Sequence, residues 1–382
     1  MTLKAFKFRL SPNKTQQILI NKTLGCARLI YNKMLDERQT KYKNKDKSSN
    51  LTEKQYKELF SFLKEVDSIS LQQARIDLFR SYQNFFRNIK QHNKTGLKFK
   101  SRKNPKNSYR TISSHNNIRI IDNKIKLPKL GFIKFKKSRE VTGIIKSVTI
   151  TRTILNKYYI SVLCETEISI LPELDKNVGI DLGLTSFLVT SDNIQKPNPK
   201  HLTKSLLKLT KIQKRFSRKH KGSNRKAKYR HKLYRIHEKI ANQRTDFLHK
   251  LSTKIINENQ VICLEDLDVK SMLQNKQLAR SISDVSWSKF VNMLIYKANW
   301  YGRSLVQIDK YFPSSKLCSC CGHIKKDLQL SDRTYICDQC GLIIDRDYNA
   351  AINILVEGLR ILQNRRDDGV SSVNNKELSL SS

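Results

Sequence analysis

No stretch of the 382 residues approaches the roughly 18 consecutive apolar residues that a membrane span needs, and the N-terminus carries no signal-peptide core. Neither a membrane partner nor a secretory route is expected, and the reducing cytoplasm is the expected compartment. Acidic residues are scarce too. Asp and Glu total 33 against 74 Lys and Arg, a formal net charge of +41. The surplus is spread along most of the chain, so it is not a basic tail on a neutral body. Such a field attracts polyanions and makes binding steeply salt-dependent. Nucleic acid is the expected partner. A ribosomal protein shares that charge but rarely has this length together with acids set in apolar strands.

Cysteine is sparse outside one segment. Cys26, Cys164 and Cys263 stand singly in apolar surroundings, where a small buried hydrophobe is the expected role. The other five fall within Cys318–Cys340. Paired spacing in a long chain without a leader favours metal over disulfide.

The length allows two or three packed units. "LKAFKFRL" alternates apolar and basic residues as a half-exposed strand does, and Ser11-Pro12 predicts a helix start with Ser11 as cap. Ile20, Leu24, Ala27, Tyr31 and Met34 repeat at helical spacing. Beyond a lysine-rich linker, one helix is predicted to carry Tyr56, Leu59, Phe60 and Leu63. Another carries Leu71, Ala74, Leu78, Tyr82, Phe85 and Ile89, with core packing the expected role of the aromatics in both. From Gly96 to about Thr166, runs such as "IRII", "KIKL", "FIKF", "KSVTITRT" and "KYYISVL" read as strands between turns. The first strand is expected to join them, which makes the helices an insertion into a small basic barrel. "LKFKSRKNPKNSYR" reads as a solvated loop or a phosphate track.

"KNVGIDLGLTSFLVTSDN" predicts a strand, a turn and an antiparallel strand. His201–Lys250 then holds 17 Lys and Arg against two acids. Its two apolar stripes, broken at "KHKGSNRK", predict a helical hairpin that packs along one face and is positive along the other. "QVICLEDL" is a buried strand ending in acids, Phe290, Leu294 and Ala298 mark a helix stopped by Gly302, and "RSLVQID" is another strand.

Two constellations carry chemistry. Cys318 and Cys321 form C-x2-C, and fifteen residues later Cys337 and Cys340 repeat it, each pair followed by a glycine. Four thiolates of this spacing make a closed tetrahedral zinc site, structural rather than catalytic. Cys320 is a spare thiol, and His323 is a weaker candidate ligand. The second constellation is acidic: Asp181 inside "VGIDLG", Glu265 ending "VICLE", and Asp345 and Asp347 before the helix "YNAAINIL". Each alone could be a strand-end turn, a salt-bridged acid or a helix cap. Three acids converging on one sheet in so basic a chain point instead to divalent cations. Carboxylates suit magnesium, with manganese as a substitute ion, and two such ions serve phosphodiester cleavage. Helix geometry aligns Asp347 with Ala350, Ala351 and Ile354, whereas Asp345 falls where a cap belongs. Asp347 is therefore assigned as the third acid and Asp345 as the second choice.

"GIDLG", "CLEDL" and "DRDYNAAINI", with "FPSSKLCSCCG" and "CDQCG" between the last two, resemble the TnpB (OrfB) family of insertion-sequence proteins. The opening "KAFKFRLSP" and "GLKFKSRK" also resemble it, so the likeness covers about residues 1–356. The resemblance implies an α/β and α+β multidomain protein: an RNase H-like (RuvC) nuclease domain with an inserted zinc ribbon, and an N-terminal β-barrel (wedge) interrupted by a helical bundle. The boundaries so implied are 1–12 and 95–170 for a nucleic-acid-binding wedge and 13–92 for a helical recognition bundle. The nuclease domain takes 171–356, with the basic hairpin at 201–257 and the ribbon at 315–344, and 357–382 is a disordered tail. The resemblance further implies a guide RNA from the element's end, target double-stranded DNA beside a short motif, kinship with type V CRISPR effectors, and a monomer with its RNA near the nucleoid.

Two other functions compete with an RNA-guided nuclease. A tyrosine-type transposase needs a paired-histidine motif, and no H-x-H occurs. A DDE-type enzyme runs Asp, Asp, Glu along the chain, whereas the order here is Asp, Glu, Asp. A zinc-ribbon DNA-binding regulator would leave acids in apolar strands unexplained.

Overall fold

Alternation along the first strand decides which face of the N-terminal sheet becomes core. A computed structural model describes residues 1–91, 96–104, 106–329 and 331–367, and the chain divides into two compact units, Met1–Glu167 and Ile168–Ser382. In β1 (Thr2–Ser11), Phe6, Phe8 and Leu10 are buried while Lys7 and Ser11 face out, as the period of two requires. The strand continues through Ser11, so Ser11 is not the helix cap. Asn13 is. Its side chain accepts the Gln16 amide at 2.8 Å and Gln16 returns a bond to the Asn13 amide at 3.1 Å, a capping box that opens α1 (Lys14–Lys43). Ile20, Leu24, Ala27, Tyr31 and Met34 are all buried.

The single helix expected around Tyr56–Leu63 is interrupted. α2 (Glu53–Leu59) ends at Phe60, which is extended, and a 3-10 turn spans Ser61–Glu65. In α3 (Ser68–Lys90), Leu71, Ala74 and Leu78 are core. Of the aromatics in this stretch, Tyr56 is buried while Phe60 and Tyr82 pack against that core; Ile89 is 49 % exposed. The remaining strands are β2 (Lys106–Ile112), β3 (Arg119–Ile121), β4 (Lys124–Leu127), β5 (Gly131–Lys136), β6 (Ile144–Thr153) and β7 (Tyr158–Thr166). They form one antiparallel sheet in the order β2-β6-β7-β1-β5-β4-β3, with β1 in its middle. β2 is a departure from the expected loop. The last five residues of the charge run, with Thr111 and Ile112, pair with β6 because Tyr109 and Thr111 alternate inward.

The second unit is built on a mixed sheet: β8 (Asn177–Asp181), β9 (Ser186–Thr190), β10 (Gln195–Pro197), β11 (Val261–Glu265) and β12 (Ser304–Ile308) in the order β10-β9-β8-β11-β12. β8 pairs antiparallel with β9 and parallel with β11, and β11 pairs parallel with β12. The basic segment forms the expected hairpin, α4 (His201–Ser217) and α5 (Asn224–Glu258), closed by Leu209, Ile236 and Ile240. Short helices α6 (Val269–Met272) and α7 (Ala279–Val285) lead to α8 (Trp287–Tyr301), which Gly302 ends in a left-handed conformation at φ 71°. A two-stranded ribbon, β13 (Thr334–Ile336) and β14 (Ile343–Asp345), precedes α9 (Arg346–Asp367).

The two faces of the mixed sheet have different covers. Val178, Ile180, Ile262 and Leu264 pack with α5 and α8 around Leu248, Phe290 and Leu294. Val261, Cys263, Val306 and Ile308 pack with Ile354, Leu355 and Leu359 of α9. That second set corrects the C-terminal boundary: residues 357–367, expected in a disordered tail, continue the helix because Leu359 and Leu362 extend its apolar stripe. Residues 368–382 lie outside the described residues. Among the described residues no helix is long and apolar enough to cross a membrane.

Candidate metal centres

Side chains alternate across a strand, so Gly179 and Asp181 lie on the face opposite Val178 and Ile180, under α9. Val261, Cys263 and Glu265 share that face on β11. Leu264 is the register partner of Ile180, which brings Glu265 and Asp181 side by side at the carboxyl ends of two parallel strands. Glycine at 179 lets α9 approach: a Cβ there would overlap the Ala351 carbonyl and stand 2.7 Å from the Leu355 amide nitrogen. Gly358 does the same over Cys263. Helix and sheet are thereby locked in one register, and Asp347 sits one turn before Ala351.

Charge crowding records the outcome. Burial, then the carboxylates of Glu265 and Asp347, push Asp181 up to about 8, against the pull of the Arg346 guanidinium and the Leu182 amide. Burial also raises Glu265, offset in part by the Ser314 hydroxyl, which donates to its Oε1. Asp347 is about one-fifth exposed and lies 3.7 Å from Arg346 Nε and 3.9 Å from Arg333 Nη1. Asp345 is turned elsewhere: exposed, it accepts the Tyr348 amide at 2.9 Å and caps α9. Among the described residues these carboxylates do not close to within 4.8 Å of one another as the four sulfurs do, but hard oxygens crowded by their own sign are the donor type that a divalent cation such as magnesium takes.

The cysteines form a separate centre. The sulfurs of Cys318, Cys321, Cys337 and Cys340 all lie within 4.8 Å of one another, with 3.6 Å between Cys318 and Cys340 and between Cys321 and Cys337. Two matching knuckles hold them. Gly322 and Gly341 take φ of 73° and 72°, and their amides bond to the carbonyls of Cys318 and Cys337 at 3.0 Å each. The Cys340 and Gln339 amides stabilise the Cys337 thiolate, holding it down to about 6. Preformed amide donors around four converging sulfurs fit zinc. Cys320 is exposed and His323 half-buried, and both lie outside the group. Cys26, Cys164 and Cys263 are buried, and burial pushes Cys263 up to about 12.

Three residues near the acids were not singled out from the sequence. Ser314 is 5 % exposed, and Asn349 and Asn353 are 0 % and 3 % exposed on α9. The signal available was two asparagines four apart inside the apolar stripe "NAAIN", where an unpaired amide would be costly.

Comparisons with known proteins give the chain its family. Residues 160–276 match a family model described as "Probable transposase" (OrfB_IS605), residues 287–354 one described as "Cas12f1-like, TNB domain", and residues 1–47 one described as "Helix-turn-helix domain". The last stretch folds here as β1 and α1. A Streptomyces pristinaespiralis protein named "Putative RNA-guided DNA endonuclease" is 40 % identical over 366 residues, covering 93 % of this chain and 89 % of that one. Escherichia coli K12 InsQ, of the same description, is 31 % identical over 384 residues, covering 94 % and 93 %. The mimivirus "TnpB-like protein L79" is 32 % identical over 246 residues, covering 60 % and 46 %. The fold is similar to that of a protein solved as the Cas12f1–sgRNA–target DNA complex, at a TM-score of 0.58 and 16 % identity over 90 % of this chain and 82 % of that one. Relatives matched along nearly their whole length make the chain a member of the TnpB (OrfB) family.

Proposed function

We propose that this chain is an RNA-guided, magnesium-dependent DNA endonuclease encoded by an insertion sequence. The observation that carries it is Asp181, half-buried beside Glu265 at the carboxyl ends of β8 and β11 and crowded by the Asp347 carboxylate of α9, in a protein of net charge +41. A carboxylate so crowded by its own sign is disfavoured when ionised, and a shared cation relieves that crowding more fully than the Arg346 guanidinium alone. The naming of the relatives as RNA-guided DNA endonucleases supports the same reading.

Asp181, Glu265 and Asp347 would hold the magnesium. When bound, that ion supplies an activated water and stabilises the leaving oxygen of a phosphodiester. The chain's own residues do the rest. Ser314 fixes one oxygen of Glu265, and Arg346 and Arg333 lie within reach of Asp347. Asp345 takes no part beyond capping α9.

The mixed sheet with α9 on one face and α5 and α8 on the other supports an RNase H-like (RuvC) nuclease core. In the first unit, the sheet centred on β1 is read as a curled, barrel-like wedge and α1–α3 as a recognition bundle. Exposed Lys204, Lys208, Lys211 and Lys214 on α4 support a phosphate-binding role for the hairpin. The zinc is structural.

A strand-joining transposase is disfavoured by the Asp, Glu, Asp chain order. The test is to express the full chain from its native locus, purify it and sequence the RNA that comes with it. One dominant RNA from the element's end is expected. Only random cellular RNA would remove the guide from the proposal.

A further inference from the structure

Two buried amides in an apolar helix face demand partners, and α9 finds them in a single neighbouring segment. Asn353 Nδ2 donates to the Ser314 carbonyl at 2.8 Å and to the Leu317 carbonyl at 2.7 Å. Asn349 Nδ2 donates to the same Leu317 carbonyl at 2.7 Å, and its Oδ1 accepts the Ser319 amide at 3.0 Å. The segment is itself a tight turn, with the Leu317 amide on the Pro313 carbonyl at 3.0 Å. It runs from Ser314, whose hydroxyl donates to Glu265 Oε1, to Cys318, the first sulfur of the ribbon. One helix therefore carries Asp347 and also clamps the turn that holds Glu265.

We propose that Ser314 is a positioning residue for the nuclease centre: pinned by Asn353 at the root of the zinc ribbon, it holds the Glu265 carboxylate so that Glu265 binds a divalent cation more tightly than a free-swinging side chain would. This rests on the reading of Asp181, Glu265 and Asp347 as the cation site. A carboxylate with one oxygen fixed loses less rotamer freedom on binding, and removing the partner that orients a ligand typically costs about 10- to 100-fold in metal affinity. The arrangement also gives the ribbon a reason to be inserted where it is. The same turn ends in a zinc thiolate and begins at the hydroxyl that orients an acid.

The test is calorimetric titration of manganese into the full-length protein, using the binding component that Glu265→Ala removes. Ser314→Ala should weaken that component about tenfold, with the zinc content kept and the thermal midpoint moved by no more than about 3 °C. Ser314→Thr keeps a hydroxyl and should restore most of the affinity. Wild-type affinity in Ser314→Ala would overturn the proposal, and so would equal weakening in both variants or loss of zinc from Ser314→Ala. A failure of the nuclease reading looks different: Glu265→Ala would then cut DNA at the wild-type rate, whatever Ser314 does to manganese.

Discussion

Gly179 of β8 lies so close beneath the carbonyl of Ala351 in α9 that no side chain fits between them. That close approach sets how far along the sheet α9 sits, and so where Asp347 stands relative to Asp181. Gly179→Ala should force α9 outward. Overpacking of this kind costs about 1–3 kcal/mol, and displacement of Asp347 should lower metal-dependent cleavage more than tenfold at temperatures where the variant is still folded. Urea unfolding and cleavage assays on the same preparation check both. Full activity in a stable Gly179→Ala protein would mean that the glycine does not set the position of Asp347.

The ribbon should hold one zinc through Cys318, Cys321, Cys337 and Cys340. Cys321→Ser removes a ligand from a closed site and should lose the metal and the local fold. Cys320→Ser should keep both, because its thiol is outside the cluster. Metal analysis of the two purified variants decides, and equal zinc loss in both would reject the ligand set.

Asp181 gives a pH dependence whose sign can be worked out. Between 3.8 and about 8 it is ionised in the unfolded chain and protonated in the metal-free fold. The fold therefore binds more protons, and this group's contribution to stability falls as pH rises through that window and levels off above it. A bound cation favours the ionised form, so magnesium should raise the melting temperature more at pH 8 than at pH 6. The difference should shrink in Asp181→Asn, leaving the part due to Glu265, which burial also raises. A magnesium effect that is the same at both pH values would exclude Asp181 from the site.

The hairpin should bind rather than cut. Lys208→Gln with Lys211→Gln removes two exposed charges from α4. Affinity for nucleic acid should fall, and the slope of log K against log salt should flatten by about 1.4 to 1.8, at 0.7 to 0.9 for each phosphate no longer neutralised. Single-turnover cleavage at saturating protein should be unchanged. An unchanged slope would take these lysines off the phosphate path.

What could be seen in the sequence was whatever local spacing decides. The cysteine pairs, the acids ending apolar strands and the basic hairpin all follow from near neighbours along the chain. Helical geometry favours Asp347 over Asp345 as the acid facing the sheet, and Asp345 caps α9. What was hidden depends on partners far away in sequence. β2 sits in a charge run and becomes a strand only against β6. The helix around Tyr56 stops at Phe60, although its periodicity continues. Residues 357–367 look polar, yet Leu359 and Leu362 find the β11–β12 face. Ser314, Asn349 and Asn353 acquire their roles only when the ribbon's root meets α9.

The nuclease reading stands on one placement: a centre where α9 crosses β8 and β11, with Asp347 as its third acid. The direct measurement is magnesium-dependent cleavage by Asp347→Asn beside Asp345→Asn, each shown to be folded and zinc-loaded. Asn caps a helix nearly as well as Asp, so Asp345→Asn should cut within a few-fold of wild type. Asp347→Asn should lose about a hundredfold or more, the scale seen when one preorganised electrostatic stabiliser of the transition state is removed. Cleavage surviving in Asp347→Asn and lost in Asp345→Asn would overturn that placement.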